Sequence, residues 1–241
     1  MERLQKIISN SGVTSRRKAE QLIKDGRVKV DSKIITDMGV KVSTNSVIEV
    51  DGVRLSKEEK VYYLLNKPRG VVTTSSDNLG RKTVIDLIET EKRIYPVGRL
   101  DYDTTGLLIL TNDGDFANNL MHPKNEIDKV YVAKINGILS PSDIMKLKKG
   151  IEIDQFMTSP AKVKVKKIDK KNGISYIQIA IHEGKNHQVK KMFEQLGYDV
   201  IKLKRESIAF LNLKGLPSGE YRKLSKKEVS QLYELTKKNK A

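Results

Sequence analysis

The sequence predicts an α+β protein: a small helix-and-strand module followed by a larger region built on a mixed, mainly antiparallel sheet. Three observations predict it. Apolar residues recur at helical spacing in a few segments, while many short segments alternate apolar and polar residues at the period of a strand. Strands follow one another with few helices between them, which disfavours a doubly wound parallel sheet. The polar stretch Ser56-Lys57-Glu58-Glu59-Lys60 reads as a linker, giving a module and linker over residues 1–60 and a second domain over 61–241.

Residues 3–11 place Leu4, Ile7 and Ile8 on one helical face, and Gly12 ends that helix. A second helix over 15–25 turns Ala19, Leu22 and Ile23 inward and stops at Gly26. Alternating segments at 27–30, 34–35, 40–42 and 47–50 complete the module. The second domain opens with a strand at 61–65, closed by the turn Asn66-Lys67-Pro68-Arg69-Gly70. A strand at 71–74 and a short helix at 83–89 are expected next. The apolar run from Leu107 to Leu110 reads as a buried strand, Asn112-Asp113-Gly114 as a turn, and Asp115 as the cap of a helix over 116–121. A strand at 129–135, a helix at 142–149 and strands at 161–167 and 174–181 follow. The helix at 187–196 turns Val189, Met192, Phe193 and Leu196 inward, and a strand occupies 200–205. Ser225-Lys226-Lys227-Glu228 is a capping box that opens the last helix, with Val229, Leu232 and Tyr233 inward. Residues 237–241 are expected to fray.

With 241 residues, 38 % of them hydrophobic, the chain can bury a core. No apolar run approaches the roughly 18 residues that span a bilayer, and the N-terminus has no apolar signal region. There are no cysteines, which excludes disulfides and thiolate zinc sites. A cytoplasmic protein is expected. The formal net charge of +16 does nothing for a fold and points to a polyanionic partner, nucleic acid first. A membrane partner is not expected, because no broad apolar helix face is flanked by lysines.

The charge is uneven. Residues 1–33 hold 9 Lys or Arg against 4 Asp or Glu, and residues 34–60 hold 4 against 5. Arg16, Arg17 and Lys18 crowd the first turn of the second helix, where each opposes the helix dipole by roughly 0.3–1 kcal/mol. A docked phosphate reverses that sign, because it meets free backbone N–H groups and side-chain cations together.

Several chemistries lack their motifs. There is no Gly-rich dinucleotide loop, no phosphate-binding loop ending in Gly-Lys-Ser/Thr, and no Gly-x-Ser-x-Gly elbow. His122, His182 and His187 have no tight metal spacing. A metal, nicotinamide or ATP enzyme is therefore disfavoured, and the best reactive candidate is an aspartate. The run Gly98-Arg99-Leu100-Asp101-Tyr102-Asp103-Thr104-Thr105-Gly106-Leu107-Leu108 puts two carboxylates in a polar loop that feeds a buried strand. The run by itself does not rank Asp101 against Asp103.

That run, with Asn66-Lys67-Pro68-x-Gly70 and Glu183-Gly184-Lys185-Asn186-His187-Gln188-Val189-Lys190-Lys191-Met192, resembles the RsuA/RluB family of ribosomal RNA pseudouridine synthases. The N-terminal module resembles the alpha-L RNA-binding domain shared with ribosomal small-subunit protein four. Arg3-Leu4-Gln5-Lys6 and Thr111-Asn112-Asp113-Gly114-Asp115-Phe116-Ala117-Asn118 are most similar to the RluB branch, which acts on large-subunit RNA. The resemblance implies isomerisation of a uridine within RNA. The N-glycosidic bond breaks, the uracil turns and C5 bonds to C1′, without a cofactor. It implies Asp101 as nucleophile, on sugar or base, Tyr131 stacked on the uracil, Lys190 paired with the aspartate, and Leu203 closing the pocket. Arg99 is implied as support for the loop. Asp103 is expected to shape the turn through Thr105 or backbone.

These roles are physically consistent. A nucleophilic carboxylate must be ionised, which a cation at about 4–6 Å favours. Lys190 follows Val189 and so points away from the stripe that buries Val189 and Met192. A base flipped out of folded RNA costs a few kcal/mol, and stacking on an aromatic returns about 1–3 kcal/mol. Three positions depart from relatives: Thr105 where many have serine, Lys190 where other branches have arginine, and Asn186 where some carry a larger side chain. Lysine cannot make a bidentate clamp, so a looser aspartate pair is expected. RNA contacts are expected from Arg3, Arg16, Arg17, Lys18, Lys24, Arg27, Lys67, His187, Gln188, Lys191 and Arg205. The expected partner is large-subunit ribosomal RNA or its precursor particle, bound by a monomer. The rivals are a non-catalytic RNA-binding assembly factor and an isomerase acting on small-subunit RNA.

Overall fold

The helical spacing of Leu4 with Ile8, and of Ala19 with Ile23, produces α1 (Leu4–Asn10) and α2 (Arg16–Lys24) in a computed structural model that describes residues 1–238. Residues 239–241, part of the stretch expected to fray, lie outside the described residues. The Ser15 side chain caps α2 by accepting the Lys18 amide N–H at 3.2 Å. Four short antiparallel strands follow in the order Lys33–Ile34, Val28–Val30, Ile48–Val50, Val53–Arg54. Their alternation buries Val28, Val30, Ile48 and Val50 against Leu4, Ile8, Ala19 and Ile23. Each such side chain contributes about 1.5–3 kcal/mol on burial. This unit comprises Met1–Val61 with Thr90–Ile94 and Asn112–Gly114.

The second unit is built on one sheet of nine strands among the described residues. Its order is Lys162–Asp169, Ile174–Ile181, Lys129–Asn136, Val200–Ile208, Thr105–Thr111, Tyr62–Lys67, Tyr221–Lys223. Tyr95–Val97 also pairs with Thr105–Thr111, and Leu211–Asn212 with Val200–Ile208. Val200–Ile208 and Thr105–Thr111 run parallel, while the other strand pairings of this sheet among the described residues are antiparallel, so the sheet is mixed and mainly antiparallel. Helices α3 (Gly114–Met121), α4 (Pro141–Lys149), α5 (Gln188–Glu194) and α6 (Lys226–Lys238) accompany it. Phe116, Ala117, Leu120 and Leu232 pack on Leu64, Leu107 and Ile109 in the main core. The capping box at α6 forms, with the Glu228 amide donating to Ser225 Oγ at 3.2 Å and the Ser225 amide to Glu228 Oε2 at 2.8 Å.

Two expected elements are not regular. Residues 71–74 make only an isolated bridge, Val72 with Thr83, because Thr73 binds the loop beside it instead, donating to the Leu100 carbonyl at 2.6 Å. Residues 83–89 hold only a 3₁₀ turn, Ile85–Leu87, which Asp86 tightens by accepting from Thr83 N at 2.7 Å and Thr83 Oγ1 at 2.9 Å. Several short pairings were not legible: Glu2–Arg3 with Lys41–Val42, Val53–Arg54, Tyr95–Val97, Leu211–Asn212, Tyr221–Lys223 and the hairpin Glu152–Ile153 with Phe156–Met157. The hairpin turns on Asp154 and Gln155, both at positive φ, where the usual turn signal is Asn-Gly or Asp-Gly.

Candidate active site

The loop carrying Asp101 is fixed at its exit by a close backbone approach. Gly106 pairs with Arg205 in the parallel ladder and has φ +110°. A Cβ there would lie 2.2 Å from the Arg205 carbonyl oxygen, so only glycine fits. Behind the loop stands Lys67, and here the sequence expectation is corrected. Lys67 is fully buried and does not present its charge to RNA. Its ammonium donates to the carbonyls of Thr104 at 2.9 Å, Asp101 at 3.0 Å and Pro68 at 3.1 Å. Burial pushes its pKa down to about 8, against the opposing pull of Asp101 and Asp103.

In front of the loop stands Lys190, from α5. Its Nζ lies 3.2 Å from Asp101 Oδ2 and 2.6 Å from Asp103 Oδ1. Asp103 therefore bonds a cation across the site, in addition to the expected hydrogen bond with backbone, which its own amide supplies. The Lys190 hydrogen bond holds the Asp103 carboxyl below its usual range, with burial opposing. Burial works against the charge of Lys190, but the two carboxylates outweigh it and hold its pKa above the ordinary value. Asp101 Oδ2 also accepts from Thr104 Oγ1 at 3.3 Å, and His187 Nε2 lies 3.4 Å from Asp101 Oδ1. His187 sits at the N-cap of α5 with φ 53°, a left-handed conformation that costs of order 1–3 kcal/mol.

Asp101 lies on the wall of a cavity of about 700 Å³ that Tyr131, Leu203, Ile109, Ile181 and Val189 also line. Tyr131 and Leu203 are buried at 9 % and 7 % exposure. Arg205, expected at the RNA surface, is 3 % exposed: strand alternation puts it on the buried face with Leu203. Its Nε donates to the Leu107 carbonyl at 2.7 Å and its Nη1 to the Tyr131 hydroxyl at 3.2 Å. Its Nη2 is buried with no partner among the described residues. Gln188 is likewise no surface contact: at 3 % exposure it donates to Glu183 Oε1 at 2.5 Å and accepts from the Lys185 amide at 2.9 Å.

Arg99 is exposed at the cavity rim. Lys191 is half-buried and ion-paired with Asp154. Arg3, Arg16, Arg17, Lys18, Lys24 and Arg27 are exposed in the first unit, and Arg27 pairs with Asp51 at 2.6 Å. Sequence reasoning missed Lys129 and Glu183, which line the cavity. Lys129 donates to the His182 carbonyl at 2.6 Å, and burial pushes its pKa down to about 8, with Arg205 adding to the shift. Its position two residues before Tyr131 on one strand was the available signal.

Among known proteins, the family described as RNA pseudouridylate synthase matches residues 61–195, and the S4 domain matches residues 2–48. The chain is 57 % identical over 233 residues to ribosomal large subunit pseudouridine synthase B of Bacillus subtilis (strain 168), covering 96 % of each protein. It is 41 % identical over 236 residues to an uncharacterized RNA pseudouridine synthase of Aquifex aeolicus (strain VF5), covering 96 % of this chain and 93 % of that one. A crystal structure of pseudouridylate synthase superposes with a TM-score of 0.69 at 30 % identity, covering 96 % of this chain and 100 % of that one.

Proposed function

We propose that this chain, which belongs to the RNA pseudouridylate synthase family, isomerises a uridine of large-subunit ribosomal RNA to pseudouridine with Asp101 as nucleophile. One observation carries the residue assignment: Asp101 is a carboxylate on the wall of a largely apolar cavity, 3.2 Å from a lysine that balances its charge. In the net reaction the C1′–N1 bond breaks and a C1′–C5 bond forms. One proton leaves C5 and N1 gains one, so nothing is oxidised and no co-reactant is consumed. The freed uracil must stay and turn, which a closed apolar cavity favours.

In this reading Tyr131 stacks on the uracil and Leu203 packs against it. Arg205 fixes the Tyr131 hydroxyl. Lys190 sets a positive charge beside Asp101, and Arg99 receives the RNA at the rim. Residues 1–60 act as an RNA-binding domain, with Arg3, Arg16, Arg17, Lys18, Lys24 and Arg27 against phosphates, and residues 61–241 as the catalytic domain. His187 and Lys191 continue the contact beside the cavity. No helix among the described residues is long and apolar enough to cross a membrane, and we place the monomeric enzyme in the cytoplasm with its ribosomal substrate.

The test is Asp101→Asn. Release of tritium from RNA labelled at uracil C5 falls to background while RNA affinity stays within about threefold. Wild-type turnover in that variant overturns the assignment.

A further inference from the structure

The open face of the catalytic sheet carries a cluster of lysines that the isomerisation does not use. Along Lys129–Asn136 and Val200–Ile208, alternation sends Tyr131, Ala133, Leu203 and Arg205 to the buried face, and Lys134, Lys202 and Lys204 to the other. Register aligns them across strands. Lys167, Tyr176, Lys134 and Lys202 form one row, and Lys164, Gln178, Val132 and Lys204 the next. Strands about 4.8 Å apart make each row about 14 Å long, with the rows about 7 Å apart. Lys164, Lys167, Lys202 and Lys204 are exposed and Lys134 is half-exposed, its Nζ 5.9 Å from the centre of the Tyr176 ring.

Two ordinary explanations fall short. Lysines on an edge strand deter edge-to-edge pairing, which accounts for Lys164 and Lys167. Lys134, Lys202 and Lys204 stand on central strands, where no edge needs protection. A fold-stabilising role fails too, because Lys134 and Lys202 are directly opposed, and like charges so placed destabilise a sheet. Acids lie at the margins: Asp128 pairs with Lys162 at 2.7 Å, and Asp169 accepts from Asn172 at 2.8 Å while feeling the charge of Lys167 on the edge strand. Glu206 falls at the bulge beside Tyr131. None of the five lysines has an ion-pair partner among the described residues.

We infer that this face is a second RNA-binding surface, which grips the phosphate backbone of a segment other than the one that enters the cavity. The inference rests on the reading of the chain as an enzyme of a large folded RNA, since only such a substrate reaches both faces of one sheet. Closely spaced phosphates convert the repulsion between opposed lysines into attraction, with release of counterions.

The test uses the full chain with Lys134→Gln, Lys202→Gln and Lys204→Gln combined, none of which lies in the cavity. Affinity is measured against salt on a full-length large-subunit ribosomal RNA transcript and on a stem-loop of about 20 nucleotides. On the transcript the log–log slope falls by about 2, at about 0.7–0.9 for each phosphate no longer neutralised. On the stem-loop, too small to occupy both faces, slope and affinity stay at wild-type values. An unchanged slope on the transcript overturns the inference, as does an equal loss on the stem-loop, which would make this face part of the primary site. Salt-sensitive binding of poly-glutamate, with no change on RNA, overturns it in favour of an acidic protein. Tritium release from the wild type is read separately. Its absence refutes the isomerase reading while the slopes still decide the lysine face.

Discussion

Replacing Lys67 by methionine separates a residue that positions the nucleophile from one that touches RNA. Methionine keeps the apolar stem but removes the ammonium, whose three N–H groups serve the carbonyls of Thr104, Asp101 and Pro68, with that of Tyr102 at 3.5 Å sharing them. Hydrogen bonds from a charged group contribute about 1.5–3 kcal/mol each, so the gross loss is roughly 4.5–9 kcal/mol. Against it stands the cost of burying the charge. A pKa pushed from 10.5 to about 8, net of the opposing pull of Asp101 and Asp103, corresponds to roughly 3.4 kcal/mol at about 1.36 kcal/mol per unit. The net loss is of order 3 kcal/mol, which lowers the Tm by about 6–12 °C in a domain of this size. The functional effect is larger than the structural one, because a displacement of about 1 Å at a reacting group costs roughly 10²-fold in rate. Lys67→Met, assayed well below its melting point, therefore loses tritium release about 100-fold while RNA affinity changes less than about threefold. Turnover within threefold of wild type refutes the reasoning. A drop of about 0.7–0.9 in the salt slope of RNA binding refutes it differently, by returning Lys67 to the phosphate contacts.

Gly106→Ala forces a Cβ to 2.2 Å from the Arg205 carbonyl oxygen; strain and overpacking of about 1–3 kcal/mol each lower the Tm by at least 5 °C or so and abolish turnover, and an unchanged melt would refute a tight parallel pairing. Arg222 holds the Glu228 carboxyl down to about 2, so this group contributes stability above the unfolded value near 4.3 and loses it as pH falls from there toward 2. Glu228→Gln melts below wild type at pH 7 by about 1 kcal/mol, the gap closes between pH 5 and pH 2, and a gap independent of pH contradicts the assignment. Arg16→Glu with Arg17→Glu reduces the salt slope of RNA binding by about 0.7–0.9 for each phosphate that α2 no longer neutralises; an unchanged slope means that α2 does not meet the backbone.

The sequence was legible where one physical pattern acts alone. The apolar run at Leu107–Leu110 had to be a buried strand, and Lys190, next to Val189, had to leave the buried stripe; both do. It was less legible where charge and burial coincide. Lys67 in a proline turn looks like a surface cation, yet it ends the strand Tyr62–Lys67, whose last five residues are all buried. The continuous run Leu64-Leu65-Asn66 before it was the only hint. Arg205 was readable: Leu203 and Arg205 are two apart on a strand and must share a face. Gln188 adjoins Val189 at the start of α5, where its amide joins the buried Glu183 rather than solvent. Residue type suggested RNA contacts at all three, while periodicity placed at least Arg205 inside.

The two carboxylates of the loop divide their work through the lysine they share. Asp101 lines the cavity and its side chain is 27 % exposed; Asp103 does not line it and is 46 % exposed. Yet Asp103 holds the shorter contact with Lys190, 2.6 Å against 3.2 Å. A lysine is a point charge on a flexible stem and has no fork to orient it on a single carboxylate. Two carboxylates supply that orientation: Asp103 anchors the ammonium outside the cavity, which leaves it against Asp101 without the tighter bond. A nucleophile needs a counter-charge that does not occupy both its oxygens, and Lys190 meets only Oδ2 of Asp101. With Lys67 fixing the backbone from behind and Asp103 restraining Lys190 in front, Asp101 has its position set by the first lysine and its charge balanced by the second.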